Sequence, residues 1–359
     1  MKTLGLFGRY KTKVSKGGED NEVLAVPGQY GKVMGIHITR GHSQARDGWM
    51  SGEFLILNAD GETTLHLRDF NVPFLPHPSP SGDYLVAGPG PSGPGGVPRF
   101  YDVNGIRNQW ARGDSKEHWP ESHRVGEIVF SHDGSRVAIE AVKGDSYRSI
   151  VYDSRGVKQW ELPVRGAVMF SPSSSELALV AETRLYFFGS DGRELRAFDI
   201  PGIGPWSLGR YSKDGKQLVL TTNTNKLILV EVQSGKTLWE SLPSKAPSVE
   251  SLGVGVRLRL AGLDASSGLE KIAVAGVSFR SATFDAGGGQ TGTRKEHLRS
   301  HVFLYDHAGM LLDELSLPTN SFLFHGPNIA SIGVSGDGKE LFVPTTTEIL
   351  TYSVADQPR

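Results

Sequence analysis

A period of two in apolar character marks short segments along the chain, clearest in Ala138-Ile139-Glu140-Ala141-Val142 and Lys226-Leu227-Ile228-Leu229-Val230-Glu231-Val232. That period sends successive side chains to opposite faces of a strand. Asp-Gly pairs and Ser-rich clusters separate the segments and supply the positive φ that tight hairpin turns need. No stretch of twelve or more residues carries helical periodicity, and Gly and Pro interrupt too often for one. The pattern therefore predicts a chain of short antiparallel strands.

The strands recur in groups of four. One copy runs Phe130-Ser131-His132-Asp133-Gly134, then Arg136 to Val142, Ser149 to Asp153, Gly156 and Trp160. A second has Phe170-Ser171-Pro172, Leu177 to Val180, Leu185 to Phe188 and Ser190-Asp191-Gly192. A third has Tyr211-Ser212-Lys213-Asp214-Gly215, Leu218 to Leu220, Leu227 to Val232, Gly235 and Trp239. Ser131, Ser171 and Ser212 are spaced by 40 and 41 residues. A degenerate copy begins at Ser81-Gly82-Asp83, and a last one at Val334-Ser335-Gly336-Asp337-Gly338. Four strands in about 40–45 residues are the mark of a β-propeller blade, which buries its faces only by stacking on neighbours.

The expected fold is all-β: a single seven-bladed β-propeller of four-stranded antiparallel blades occupying 1–359. The blades fall at about 21–69, 71–112, 124–163, 164–201, 203–243, 249–317 and 324–355. The last stops after its third strand. Thr3 to Phe7 forms an apolar strand ahead of the first blade, and its pairing with the segment ending at Val354 would close the ring. Six blades, with residues 1–69 as an unrelated cap, is the alternative.

Composition narrows the function. Lys and Arg number 38 against 39 Asp and Glu, which gives no electrostatic footprint for sequence-blind nucleic-acid binding. With no Cys, disulfides, thiolate chemistry, iron–sulfur clusters and Cys-ligated zinc are excluded. No apolar run approaches the roughly 18 residues of a membrane span, and no signal peptide is readable after Met1, so the expected compartment is the cytoplasm.

Phe130-Ser131-x-Asp133-Gly134-x-x-Val137-Ala138 resembles the TolB-type, WD-like propeller repeat, whose consensus reads Phe-Ser-Pro-Asp-Gly-x-x-Leu-Ala. The resemblance covers most of 72–355 and implies a propeller, without implying an activity. The Gly-His and Trp-Asp pairs of true WD repeats are absent; Trp110, Trp160 and Trp239 precede Ala, Glu and Glu. Val232-x-x-Gly235-x-x-x-Trp239 also looks like the tryptophan-docking motif of quinoprotein propellers, and reads here as shared blade packing.

Other motifs fail on context. Gly88-Pro89-Gly90-Pro91-Ser92-Gly93 matches G-x-G-x-x-G, but its prolines forbid the helix a dinucleotide site requires. Gly235-Lys236-Thr237 lacks the first glycine of a phosphate loop, and Arg112-Gly113-Asp114 is a chance tripeptide. The eleven His show no local zinc spacing, and no G-x-S-x-G elbow occurs. No cofactor is expected. Arg257 and Arg259 share one side of a predicted inner strand, where they line the channel or pair against a neighbouring blade.

The long segments 40–51, 88–98, 111–124 and 279–298 all fall on one face of the expected disc, the face formed by the second-to-third-strand loops and the inter-blade connections. They supply the candidate partner-binding residues His42, Arg46, Trp49, His118, Trp119, Arg124, Arg280 and Phe284. Exposed Trp and Arg are typical interface anchors. Gly287-Gly288-Gly289-Gln290 reads as flexible. The expected function is a non-catalytic interaction module for a protein partner, within a larger assembly, without nucleic acid or a membrane span. A propeller enzyme of the lactonase, lyase or glycan-processing kind, or a glycan or small-ligand binder stacking on Trp49 or Trp119, are the alternatives.

Overall fold

The computed structural model describes residues 4–11, 22–27, 33–39, 50–58, 63–72, 77–87, 98–102, 124–143, 146–162, 166–287, 290–318, 324–325, 329–330, 332–345 and 348–354. Among them are six four-stranded sheets, one three-stranded sheet and one small two-stranded pair, every pairing antiparallel. In chain order, sheet 1 spans strands Glu22–Pro27 to Thr63–Val72 and sheet 2 His77–Pro78 to Arg99–Asp102. Sheet 3 spans Arg124–Phe130 to Lys158–Leu162, and sheet 4 Ala167–Phe170 to Glu194–Asp199. Sheet 5 spans Gly209–Tyr211 to Thr237–Ser241, and sheet 6 Arg257–Ala265 to Leu311–Leu317. Sheet 7 holds Gly333–Val334, Glu340–Pro344 and Glu348–Val354, and takes its fourth strand from Leu4–Lys11, with Leu4 opposite Val354. The expected fourth strand of blade 2, near Trp110, lies outside the described residues.

The turns explain why the strands stop where they do. Ser131 Oγ donates to Asp133 Oδ1 at 2.7 Å and accepts from the Arg136 amide at 2.9 Å. Asp133 Oδ1 also accepts the Ser135 amide, and Gly134 sits at φ +68°, where a side chain would be strained. Sheets 5 and 7 repeat the arrangement through Ser212–Asp214 and Ser335–Asp337, both at 2.7 Å. The local hydrogen bonds replace ladder bonds the bend has removed.

Alternation then builds the core. In sheet 3, Ile128, Phe130, Val137, Ile139, Ile150 and Tyr152 pack against Tyr84, Val86 and Phe100 of sheet 2. The intervening Val129, Ala138 and Val151 pack against Val168, Phe170, Leu177 and Leu179 of sheet 4. Further clusters join sheets 4 and 5, 5 and 6, and 6 and 7. Sheets 3 to 6 are thus apolar on both faces, which fits radial stacking rather than a sheet with one face in water.

Among the described residues, helix is confined to a 3-10 turn at Pro243–Lys245 and one turn of α-helix at Pro247–Glu250, both between sheets 5 and 6. No helix among the described residues is long and apolar enough to cross a membrane.

Candidate interaction surface

Within each four-stranded sheet, the first and third hairpins lie at one end; the second hairpin and the inter-sheet connections lie at the other. The described hairpins at the first end are tight. At the second end, strands Lys271–Gly287 and Gln290–Asp306 of sheet 6 run 17 residues each. Their neighbours stop early: Arg257 pairs with Phe279, and Leu317 with Ser300. Among the described residues, 280–287 therefore pair only with the partner strand of their own hairpin.

This corrects the expectation of a long loop at 279–298: residues 279–287 and 290–298 are two paired strands, while Gly288 and Gly289, in the run read as flexible, lie outside the described residues. Phe279-Arg280-Ser281-Ala282-Thr283-Phe284 faces a Thr- and Arg-containing strand in regular register, and Gly287 pairs with Gln290 at the tip. The residues on either side of the glycine run suit strands. Arg280 Nε donates to Glu296 Oε2 at 2.7 Å, and Lys295 Nζ lies 5.1 Å from the centre of the Phe279 ring. Each carries the cross-strand pairing of a stable hairpin.

Of the candidate residues, Arg280 is exposed on this ribbon and Phe284 occupies it opposite Gly292. Arg124 is not in a loop; it opens strand Arg124–Phe130, opposite Val142. His42, Arg46, Trp49, His118 and Trp119 lie outside the described residues.

Two residues that sequence reasoning missed share the ribbon's end of the molecule. Trp206, in the connection between sheets 4 and 5, is 58% exposed. Val254, between sheets 5 and 6, is fully exposed. A weight on long segments passed over both; Gly204-Pro205-Trp206 and Gly253-Val254-Gly255, apolar residues in turn-forming surroundings, were the available signal.

The inner strands carry a second polar feature. Arg210 of sheet 5 donates from Nε to Asp264 Oδ1 of sheet 6 at 2.9 Å. Asp264 Oδ2 accepts the Val334 amide of sheet 7, also at 2.9 Å. One carboxylate thus joins three successive sheets. Arg257 is exposed and Arg259 half-buried on the Asp264 strand. On sheet 3, burial pushes Glu127 up to about 7, the nearby Glu140 carboxylate adds to the shift, and Arg210 opposes it.

At the tight-hairpin end, the residue after the turn's first Ser comes from successive sheets as His132, Pro172, Lys213, Ser267 and Gly336; three of the five turns read Ser-x-Asp-Gly. These residues line a cavity of ≈ 80 Å³, with Arg210, Tyr211 and Asp264 at its floor. No group of three or more His, Asp or Glu among the described residues could hold a metal ion.

No family model matches the sequence, and no curated protein matches it. The structure is similar to the crystal structure of the β-propeller domain of Cps50 (Swd1) from Myceliophteria thermophila, with a TM-score of 0.58 over 98% of this chain and 100% of that one. Sequence identity is 12%, so the likeness concerns the fold alone. Together with the repeating sheets and the shared clusters between them, it shows that this chain has a β-propeller fold.

Proposed function

We propose that the chain is a non-catalytic protein-interaction module, a single domain of seven blades whose ring is closed by strand Leu4–Lys11 on the last blade. It meets a protein partner through the face that carries the blade connections and the second-to-third-strand hairpins. The observation that carries this reading is the asymmetry between faces. One end has tight hairpins; the other bears a ribbon of two 17-residue strands, an exposed Trp206 and a fully exposed Val254. Long elaborations on a rigid scaffold are where binding residues collect, and Trp is favoured at interface centres. The candidate residues Trp49 and Trp119 lie outside the described residues; the repeat order assigns their segments to the same face, as part of this proposal.

The experiment is affinity capture from the native source with mass spectrometry, using the intact chain, a Trp49→Ala/Trp119→Ala variant and a Trp206→Ala variant. A stoichiometric partner held by the intact chain and lost by either variant supports the reading and its face. A partner held equally by all three overturns the choice of face. Capture of nothing by the intact chain overturns the module itself.

A further inference from the structure

We propose that the sheet 6 ribbon is a docking arm that takes an acidic, extended segment of a partner protein as an added β-strand along the edge of residues 280–287. The inference rests on the interaction-module reading and deepens it.

Among the described residues, the edge is open. Strand Arg257–Ala265 covers Lys271–Gly287 only as far as Phe279. Beyond it, eight residues project about 25 Å, at roughly 3.3 Å per residue, with no third strand among the described residues. The chain that would have continued the missing strand is turned aside. Gly253 and Gly255 sit at φ +96° and +82°, and no atom lies within 4 Å of a side chain built on either. Val254, held between them, is fully exposed at the foot of the uncovered edge. An incoming strand placed where the sheet's own first strand ends would gain the unused backbone groups of 280–287 and cover Val254. This is strand addition, in which main-chain bonds give affinity and side-chain pockets give selectivity.

Charge selects the occupant. Residues 280–299 contain Arg280, Arg294, Lys295 and Arg299 against Asp285 and Glu296. Two copies of this ribbon joined edge to edge would bring like charges together, the usual protection of a free edge from self-association. The same charges attract an acidic strand. A nucleic acid fits less well, because the excess is small and the distinctive feature is a row of backbone donors and acceptors.

The test uses the full chain and three labelled probes: a peptide of about ten residues alternating Glu and Val, its Lys-Val counterpart, and a short oligothymidylate. Binding is read by fluorescence anisotropy, and the site by amide hydrogen exchange over 280–287. Expected is saturable binding of the Glu-Val peptide with new protection at 280–287. Binding should weaken at least tenfold in Ala282→Pro, which places a proline in the edge strand, and in Arg294→Glu/Lys295→Glu, which leaves the backbone intact. Equal binding of the Lys-Val peptide, tighter binding of the oligonucleotide, or indifference to both variants overturns the proposal. The same two variants are then used in the affinity capture described above. A partner still held by both sinks the docking arm and leaves the interaction module standing; capture of nothing by the intact chain sinks the module.

Discussion

Trp239, on the outer strand of blade 5, lies flat against Gly309 in the outer turn of blade 6 and donates Nε1–H to the neighbouring His307 carbonyl at 2.9 Å. A Cβ on Gly309 would come within 2.7 Å of the indole, and the residue holds φ +79°. Trp160 stands in the same relation to Gly192, with Nε1 bonded to the Ser190 carbonyl at 3.2 Å, and Phe198 lies against Gly235. The outer rim is therefore sewn blade to blade by an aromatic ring on a glycine turn. Gly309→Ala is expected to cost about 2 kcal/mol, from backbone strain and from displacing the ring. Trp239→Phe should cost about 1 kcal/mol more than packing alone, through the lost hydrogen bond. Denaturant unfolding of both variants checks this.

Asp264 binds two different blades, so its two oxygens are separable. Asp264→Ala leaves the Arg210 guanidinium without its carboxylate and the buried Val334 amide without its acceptor. An expected loss of about 2–4 kcal/mol follows. A double-mutant cycle with Arg210→Met isolates the ion pair, and a coupling energy near zero would refute its assignment as a structural link.

Two groups, the buried His301 and the partly buried Glu127, give stability opposite slopes with pH. His301 has one ring nitrogen 2.9 Å from Ser278 Oγ and the other 3.2 Å from Ser248 Oγ. Burial first, and Arg299 second, lower it to about 4. The unfolded chain takes up this proton near pH 6.5, before the folded one, so its contribution is present above that value and lost as pH falls toward about 4. Glu127 does the reverse. Its folded value of about 7 exceeds the unfolded one, so its contribution is present below about pH 4.5 and lost as pH rises through 7. Glu127→Gln should flatten the decline toward neutral pH, and His301→Gln the decline toward acid. Urea midpoints from pH 4 to 8 measure both slopes.

Much of this was legible along the chain and some was not, for a physical reason. The Ser-x-Asp-Gly turns are local: Ser131, Asp133 and Arg136 satisfy one another within five residues, so their spacing alone fixed the strand ends. Thr3 to Phe7 was expected to pair with the last strand because both ends of the repeat were visibly incomplete; a longer strand, Leu4–Lys11, makes that pairing. The ribbon was misread because Gly287-Gly288-Gly289 outweighed the strand-forming residues around it. Whether a glycine run is a hinge or a hairpin tip depends on the strands it joins. Arg210 and Asp264 meet across blades, 54 positions apart, and no local pattern announces such a pair.

Glu182 tests the turn chemistry in the stabilising direction. It is exposed and sits at φ +54° in the tight hairpin between the second and third strands of blade 4. Such a conformation costs a residue with a Cβ roughly 1–2 kcal/mol. Glu182→Gly is expected to stabilise the chain by about 1 kcal/mol, after the added unfolded-state entropy of glycine. A fall in the unfolding midpoint would count against the strain.

The pairing of Leu4 with Val354 also sets an order of events. At about 5–20 residues per second on the ribosome, the strand ending at Val354 appears roughly 20–70 s after Leu4–Lys11 has been made. Through that interval the early strand has no native neighbour. Within the chain itself, the last blade is completed by joining strand Leu4–Lys11 to a strand made much later. Stalled or truncated chains are therefore left with a ready-made open edge at each end, available to chaperones or to one another.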